Sequence, residues 1–476
     1  MSFVNAVRNQ EARTDNGMKA RKSTADNVVD LFYKIGASRG KDILPAFAAA
    51  YAEDRELALR IALWARDVRG GAGERQLFKD IMAYLETVDQ DAVRVLMNKA
   101  PHLGRWDDIF DLKDPVLIEE ALTMLEEALI ARDGLAAKWT PRKGDFAIKL
   151  RKKMGYTPKR YRKTLVTLSK TVEQQMCAKE WDGINFSHVP SVAASRYKKA
   201  FYRNTPKYKE YVEALVAGKT VDGKEVKVNA SSIYPYDVIK DLVRQDPSWR
   251  TKMSKTEIDL VIKQWEALPN YVGDSNVLAM VDVSGSMIAL AGGNGNVSCM
   301  DVAVSLGLYV ADKNKGPFKD TFLTFSGKPE LLYLKGNISS KITQMTKSKW
   351  SMNTNVVAAF RKILDVAREG DVKQEDMPNM LLIMSDMQFD NCVRFDDSAL
   401  ESVRREYEAA GYVCPQIVFW NINSRDNVPA KSNEQGVALV SGFSPSIMKA
   451  VLSANMDEFT PRGIMMKSIM NEKYAI

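Results

Sequence analysis

Four short apolar segments in the C-terminal half of the chain constrain its fold most. They are rich in β-branched, aromatic and other large apolar residues and cover residues 277–283, 321–325, 380–384 and 416–420, which is typical of strands buried on both faces. Between them, residues 302–313, 356–368 and 400–410 carry apolar side chains at helical spacing. This alternation predicts a parallel α/β sheet, whose ligands bind at the carboxyl ends of the strands.

Oxygen-bearing side chains follow two of these strands. The first strand leads into a D-x-S-x-S run, Asp282, Ser284 and Ser286, and the third ends on Asp386. A polar loop between them carries Thr354. A set of oxygens with few carboxylates and several hydroxyls suits Mg²⁺ or Mn²⁺, because Mg²⁺ gives up its waters reluctantly. Serine and aspartate are also common in any turn after a strand, so the D-x-S-x-S run alone is weak evidence for a metal site. The prediction therefore depends on finding all three segments in the expected order.

The five residues resemble the metal-ion-dependent adhesion site (MIDAS) of von Willebrand factor A domains, whose positions they match in order. The resemblance implies a Rossmann-like A-type domain, which we place at residues 271–476. A hydroxyl-rich shell leaves the ion electrophilic enough to bind a carboxylate of an acidic partner protein. No histidine or activated cysteine accompanies the site, and two-metal hydrolysis needs more carboxylates than are visible. We therefore expect a binding site and no enzyme.

Residues 1–270 have the periodicity of helices joined by short polar turns. The predicted helices cover residues 26–34, 43–54, 55–68, 74–88 and 115–131. Helix pairs of this length stack into solenoids, so an all-α helical repeat of the HEAT-like type is expected. A chain of 476 residues is too long for one ordinary core, which favours this division into two domains. Without a long apolar run or a signal peptide, we expect a soluble, cytoplasmic protein with no membrane partner.

Positive charge is concentrated in residues 131–210, which hold 20 Lys and Arg against 6 Asp and Glu, whereas the whole chain has a net charge of +8. Lys and Arg neutralise phosphates and aromatic rings stack on unpaired bases, so this mixture predicts binding of single-stranded or irregular RNA. Most charge runs are solvated helix faces, which is the alternative interpretation. The predicted contacts are Lys149, Arg151, Lys152, Lys153, Tyr156, Lys159, Arg160, Tyr161, Arg162, Lys163, Arg196, Lys198, Lys199 and Arg203.

Four motifs carry a second resemblance: Arg66–Arg75 (RDVRGGAGER), Gly104–Asp108 (GRWDD), Val189–Ser191 with Tyr197–Phe201, and Ser385–Asp390. They resemble an uncharacterised family that pairs a helical N-terminal region with a C-terminal von Willebrand factor A domain. That family is similar to the TROVE module of the Ro autoantigens, ribonucleoproteins whose helical repeats close into a ring. In Ro-type proteins the ends of misfolded RNAs enter the ring and small structured RNAs bind its outer surface.

The resemblance therefore implies RNA binding by a ring-shaped helical domain. The glycines of the first motif and Trp106 with Asp107 of the second also fit a helix turn and a helix cap. We favour this structural interpretation, with only Arg69 and Arg75 as candidate phosphate contacts. The alternative function is a metal-dependent protein-interaction scaffold without an RNA role.

Overall fold

The computed structural model describes residues 11–221, 224–228, 233–243, 255–291, 297–325, 329–346, 355–389, 399–423 and 428–476. Within these ranges the N-terminal part is helical and the C-terminal part contains a six-stranded sheet. The boundary that the sequence suggests at residue 270 falls between the last N-terminal helix and the first strand of this sheet.

The N-terminal part begins with a hairpin of β1 (Glu11–Arg13) and β2 (Lys19–Arg21). Its helices are α1 (Asn27–Ile35), α2 (Leu44–Glu53), α3 (Arg55–Arg66), α4 (Gln76–Val88), α5 (Gln90–Leu103), α6 (Pro115–Ile130), α7 (Gly134–Trp139), α8 (Asp145–Lys153), α9 (Pro158–Ser169), α10 (Val172–Cys177), α11 (Ser191–Asn204), α12 (Pro206–Ala217), α13 (Pro235–Val243) and α14 (Lys255–Glu266). A second small hairpin, β3 (Thr220–Val221) and β4 (Lys224–Glu225), follows α12.

The C-terminal part alternates strands and helices. Its elements are β5 (Val277–Asp282), α15 (Cys299–Lys313), β6 (Thr321–Phe325), β7 (Leu331–Tyr333), α16 (Ile338–Thr346), α17 (Val356–Glu369), β8 (Met380–Ser385), α18 (Ala399–Ala409), β9 (Gln416–Asn421), β10 (Val437–Ser441), α19 (Met448–Ser453) and α20 (Pro461–Ile469). The strand order is β10-β9-β8-β5-β6-β7. The predicted all-parallel sheet needs one correction, because the edge strand β7 runs antiparallel to β6.

The two central strands, β5 and β8, are buried along their whole length, which explains their uninterrupted apolar sequences. Helix α15 packs on β5 so closely that a Cβ atom at Gly307 would lie 2.3 Å from Val281 Cγ2. One hydrophobic core joins this face of the sheet to the N-terminal helices, and it includes Phe32, Trp64 and Trp420. The opposite face has its own core, to which the N-terminal hairpin contributes Met18.

The helical part meets the sheet where α1 ends against β10. The backbone N–H of Gly36 donates to Ser441 Oγ at 3.1 Å. A Cβ atom at Gly36 would lie 2.6 Å from the Ser441 carbonyl oxygen, and Gly442 beside it has a positive φ of 106°. Only glycine allows the two backbones to approach this closely.

The last residues of the chain return to the helical part. Asp67, which follows α3, accepts hydrogen bonds from Lys473 Nζ at 2.5 Å and from the Tyr474 hydroxyl at 2.9 Å. Its second oxygen accepts from the backbone N–H groups of Arg69 and Gly70 at 2.8 and 3.1 Å. Burial opposes ionisation of this carboxyl, but the hydrogen bonds outweigh it and hold the pKa of Asp67 below its usual value of 3.8. The carboxylate therefore ties the C-terminus to the helices.

We expect Asp67→Ala to lower the free energy of unfolding by about 2 kcal/mol at pH 7, since hydrogen bonds to charged groups contribute about 1.5–3 kcal/mol. Because the folded-state pKa is lowered, this stabilisation is complete above pH 3.8 and is lost as the pH falls below that value. Urea unfolding at a series of pH values measures both effects. Asp91→Ala is the control, since this side chain is 85% exposed in its ion pair. Equal stability of parent and Asp67→Ala at pH 7 would contradict the role of Asp67.

Candidate metal centre and nucleic-acid surface

Two of the predicted metal ligands lie side by side at the carboxyl edge of the sheet. Asp282 is the last residue of β5, and Asp386 directly follows β8. These strands are parallel neighbours, with Val281 opposite Met384. Both carboxylates are fully buried. The topology thus brings together two acidic side chains that are 104 positions apart in the sequence.

Hydroxyl groups connect the two carboxylates. The backbone N–H of Ser284 donates to Asp282 Oδ1 at 2.9 Å, and the Oγ atoms of Ser284 and Ser286 lie 3.0 Å apart. Ser286 Oγ donates to Asp386 Oδ1 at 3.3 Å. Four of the five predicted ligands therefore form one connected group. The fifth, Thr354, lies outside the described residues.

Ser385, the last residue of β8, was not among the predicted site residues. Its hydroxyl donates to Asp282 Oδ2 at 2.5 Å and accepts the backbone N–H of Met387 at 3.0 Å. Ser385 is fully buried. It orients Asp282 by binding Oδ2, whereas the Ser284 backbone N–H binds Oδ1. A polar residue at the end of an otherwise apolar strand was the signal that could have revealed it.

Burial raises the pKa of Asp282 to about 7, although hydrogen bonds from Ser385 and Ser284 favour its ionised form. The neighbouring Asp386 carboxylate raises it further. Two buried carboxylates with serine hydroxyls between them are a donor set that fits a small hard dication such as Mg²⁺. Over the described ranges, no three His, Cys, Asp or Glu side chains come together in a group that could hold a metal. The hydroxyls would therefore have to complete the coordination.

The arginines of the Arg66–Arg75 motif contact residues in or next to the Gly104–Asp108 motif. Arg66 Nε pairs with Asp108 Oδ2 at 2.7 Å in the protein interior. Arg75 Nη2 pairs with Asp107 Oδ2 at 2.5 Å. Arg69 Nη1 donates to the His102 carbonyl at 3.3 Å. These contacts support the structural interpretation, since they join the turn after α3 to the turn after α5.

The first basic cluster covers α8, α9 and the turn between them. Lys149, Lys152, Lys159 and Lys163 are exposed, and among the described residues none of these four has an ion-pair partner. Lys153 is an exception, because its Nζ lies 3.5 Å from Glu119 Oε2 on α6. This surface therefore presents positive charge that the protein itself leaves largely uncompensated.

The stacking role predicted for Tyr161 is wrong. Its side chain is only 3% exposed, and its hydroxyl donates to the Pro141 carbonyl at 2.9 Å. Burial raises the pKa of Tyr161 to about 12. Tyr156 is half-buried, with the Arg160 guanidinium 4.1 Å above its ring. Tyr161 thus belongs to the core. Tyr156 exposes only part of its ring for stacking on a base, and Arg160 lies over that ring.

The second basic cluster lies on α11. Arg196, Lys199 and Arg203 are exposed. Lys198 is half-buried and its Nζ lies 3.2 Å from Glu257 Oε1 on α14. This ion pair joins two helices of the protein, while the phosphate contact of Lys198 stays a prediction.

Two family models match this chain. The model described as Domain of unknown function (DUF2828) matches residues 14–89 and 147–278, and the one described as Domain of unknown function (DUF7788) matches residues 276–473. The chain is 30% identical over 521 residues to Uncharacterized protein L728 of Acanthamoeba polyphaga mimivirus, an alignment that covers 95% of this chain and 86% of that protein. The chain belongs to the family of that protein. The predicted membership of an uncharacterised family is confirmed to this extent.

A solved structure is also similar, described as the crystal structure of Deinococcus radiodurans Ro (RSR) protein. The TM-score is 0.38 at 13% sequence identity, with 94% of this chain and 93% of that chain covered.

In the described part of this chain, no helix is both long and apolar enough to cross a bilayer.

Proposed function

We propose that this protein binds RNA through the basic surface of α8 and α9 and binds an acidic partner protein through a Mg²⁺ or Mn²⁺ site at the carboxyl edge of the sheet. The RNA is single-stranded or a small structured RNA, as in the Ro-type ribonucleoproteins that the sequence motifs resemble. The observation that carries the RNA part is the row of exposed lysines on α8 and α9 that lack ion-pair partners among the described residues.

Uncompensated lysines favour a polyanion because binding releases the counterions condensed on it. A surface whose charges were already paired would gain little from such a ligand. Arg160, stacked on Tyr156, offers a planar cation in the same region on which a base could also stack. Arg196, Lys199 and Arg203 on α11 extend the proposed contacts.

The metal part of the proposal rests on Asp282, Ser284, Ser286 and Asp386, together with Thr354 from the sequence motif. A bound dication would neutralise the two buried carboxylates and offer an open coordination position to a carboxylate of the partner. Ser385 and the Ser284 backbone N–H hold Asp282 in place. We propose on this basis that the C-terminal part is a von Willebrand factor A domain with a MIDAS.

The same proposal includes a HEAT-like, ring-shaped helical part and a cytoplasmic location. It does not include catalysis. The connected site offers two carboxylates and no histidine, whereas a two-metal clamp on a phosphodiester needs more acidic ligands. Binding, with the metal as an anchor for a partner, is the chemistry that these side chains favour.

Asp282→Asn should abolish binding of Mg²⁺ and Mn²⁺ in isothermal titration calorimetry, since one carboxylate and several neutral hydroxyls hold a dication poorly. The variant should remain folded, because burial penalises the Asp282 carboxylate and a neutral amide avoids that cost. Asp376→Asn is the matched control, since this exposed acid precedes β8 at the opposite edge of the sheet. Unchanged metal affinity in Asp282→Asn would reject the assigned ligands.

The alternative is a metal-dependent protein scaffold whose basic surface contacts acidic protein and not RNA. The two functions differ in what accompanies the purified protein. The ratio of absorbance at 260 and 280 nm, measured before and after ribonuclease treatment, should fall if RNA is bound. A ratio that ribonuclease leaves unchanged favours the scaffold.

A further inference from the structure

The residue after Asp386 has an unusual backbone. Met387 has a φ of +66°, in the left-handed region that side chains with a Cβ atom rarely adopt. Its side chain is 1% exposed and lies in the core on the second face of the sheet. Such a conformation persists only where the surroundings hold it. The neighbours of Met387 therefore set the direction in which Asp386 points.

The N-terminal hairpin supplies those neighbours from the other end of the chain. At its tip, the backbone N–H of Asp15 donates to Gln388 Oε1 at 2.6 Å, and Asn16 Nδ2 donates to the Gln388 carbonyl at 2.9 Å. Thr14 Oγ1 donates to the Phe389 carbonyl at 2.5 Å. Three successive hairpin residues thus hold the two residues that follow Met387.

The hairpin is itself anchored to the sheet part. Met18 packs into the same core as Met387 and Phe389. The backbones of Arg21 and Val428 exchange two hydrogen bonds of 2.9 and 2.8 Å. These contacts give the hairpin a fixed position from which it can hold the loop after β8.

The held loop connects directly to the candidate metal ligand. The backbone N–H of Gln388 donates to Asp386 Oδ1 at 3.4 Å, and the same oxygen accepts from Ser286 Oγ at 3.3 Å. A displacement of Gln388 would therefore move a donor away from the carboxylate that faces Ser286.

We propose that the N-terminal hairpin, residues 11–21, is the positioning element of the metal site. By holding Gln388 and Phe389 it keeps Met387 left-handed and aims Asp386 at Ser286. The hairpin and the metal then stabilise each other, because a coupling between two sites acts equally in both directions. The effect of the hairpin on metal binding rests on the proposed function. Its hydrogen bonds to Gln388 and Phe389 do not depend on that proposal.

The test uses the full chain with Thr14→Val and Asn16→Ala combined, which removes two of the three bonds from the hairpin tip to the loop, together with the bond that Thr14 Oγ1 accepts from the Met18 backbone N–H. Calorimetry with MgCl₂ and MnCl₂ should show metal affinity reduced about 10-fold, within the usual range of coupling between sites. In a Met387→Gly background, where both proteins compared lack this buried core side chain, the same two changes should lower the affinity much less, because glycine adopts the left-handed conformation without help. A role of the hairpin in folding alone would lower the affinity equally in both backgrounds. Lys22→Ala, at an exposed residue just after the hairpin, is the control.

Hydrogen exchange gives a second measurement, made on the parent with and without metal and on the double variant without metal. Mg²⁺ should slow exchange of the Asp15 and Arg21 amides, whose hydrogen bonds dock the hairpin. Without metal, the double variant should exchange faster than the parent at Met387 and Gln388.

Unchanged metal affinity in the double variant, or an equal loss of affinity in the Met387→Gly background, would overturn the positioning role. If the parent binds neither ion, the proposed metal function fails, and the metal-free exchange of Met387 and Gln388 alone decides whether the hairpin holds this loop. Equal exchange in parent and double variant would then reject the inference.

Discussion

Changing six basic residues of α8 and α9 to glutamine should weaken RNA binding and remove most of its dependence on salt. Each phosphate contact to a single strand contributes about 0.7 to the slope of log K against log[salt], so six contacts account for about 4 units. An effect of this size is expected only if these side chains contact phosphates. The six residues are Lys149, Lys152, Lys159, Arg160, Arg162 and Lys163, all of them exposed.

The structure determines this choice of residues. Arg151 is half-buried and Lys153 lies beside Glu119, so their replacement would mix packing with charge. A titration of labelled single-stranded RNA at several salt concentrations measures affinity and slope together. The matched control changes six exposed lysines of the C-terminal part, which should leave the slope unchanged: Lys315, Lys335, Lys362, Lys373, Lys431 and Lys449.

Equal slopes for the parent and the six-glutamine variant would identify the basic surface as a solvated helix face. The scaffold alternative would then be the better account, with acidic protein as the ligand of the chain. A slope reduced by both the variant and its control would instead indicate nonspecific attraction to the whole protein, which has a net charge of +8.

Periodicity predicted four of the strands but missed β10, although its sequence VALVS is apolar and buried like theirs. The four predicted strands are present, because buried parallel strands need uninterrupted apolar sequences. Strand β7 has three residues and hairpin β1–β2 has three in each strand, which is too short for a pattern to show. Helix α5 contains Pro101, a residue that ordinarily argues against a helix interior.

The candidate site was predictable where a strand end fixes the position of a side chain. Asp282 and Asp386 meet because parallel neighbouring strands end at one edge. The roles of Ser385 and of the hairpin tip depend on tertiary contacts between distant segments, which spacing does not encode. Tyr161 shows a different failure, since it lies four residues before the buried Leu165 and so on the apolar side of α9. Helical spacing could have assigned it to the core.

The ion pair between Arg66 and Asp108 should be the most sensitive polar contact of the helical part. Their side chains are 1% and 0% exposed, and Asp108 Oδ2 also accepts the backbone N–H of Arg105 at 2.9 Å. Gly104 packs on the pair, since a Cβ atom there would lie 2.4 Å from Arg66 Cζ. The Arg66–Arg75 and Gly104–Asp108 motifs thus meet in one buried charge pair, beside which only the small Gly104 fits.

Asp108→Ala should lower the free energy of unfolding by about 3–5 kcal/mol, because it leaves the Arg66 guanidinium buried without its counter-charge. Asp107→Ala is the control, since its partner Arg75, which also lies 3.9 Å from Asp108 Oδ1, is 45% exposed and such pairs contribute about 1 kcal/mol or less. Urea unfolding at pH 7 measures both variants. The double variant Arg66→Met with Asp108→Leu should recover only part of the loss, because an apolar pair of similar volume has no charge to desolvate but cannot accept the Arg105 backbone N–H. Asp108→Ala could instead lower the free energy of unfolding no more than Asp107→Ala does. The Arg66 guanidinium would then have solvent or another acid as its partner, and the Arg66–Asp108 pair would not hold these turns together.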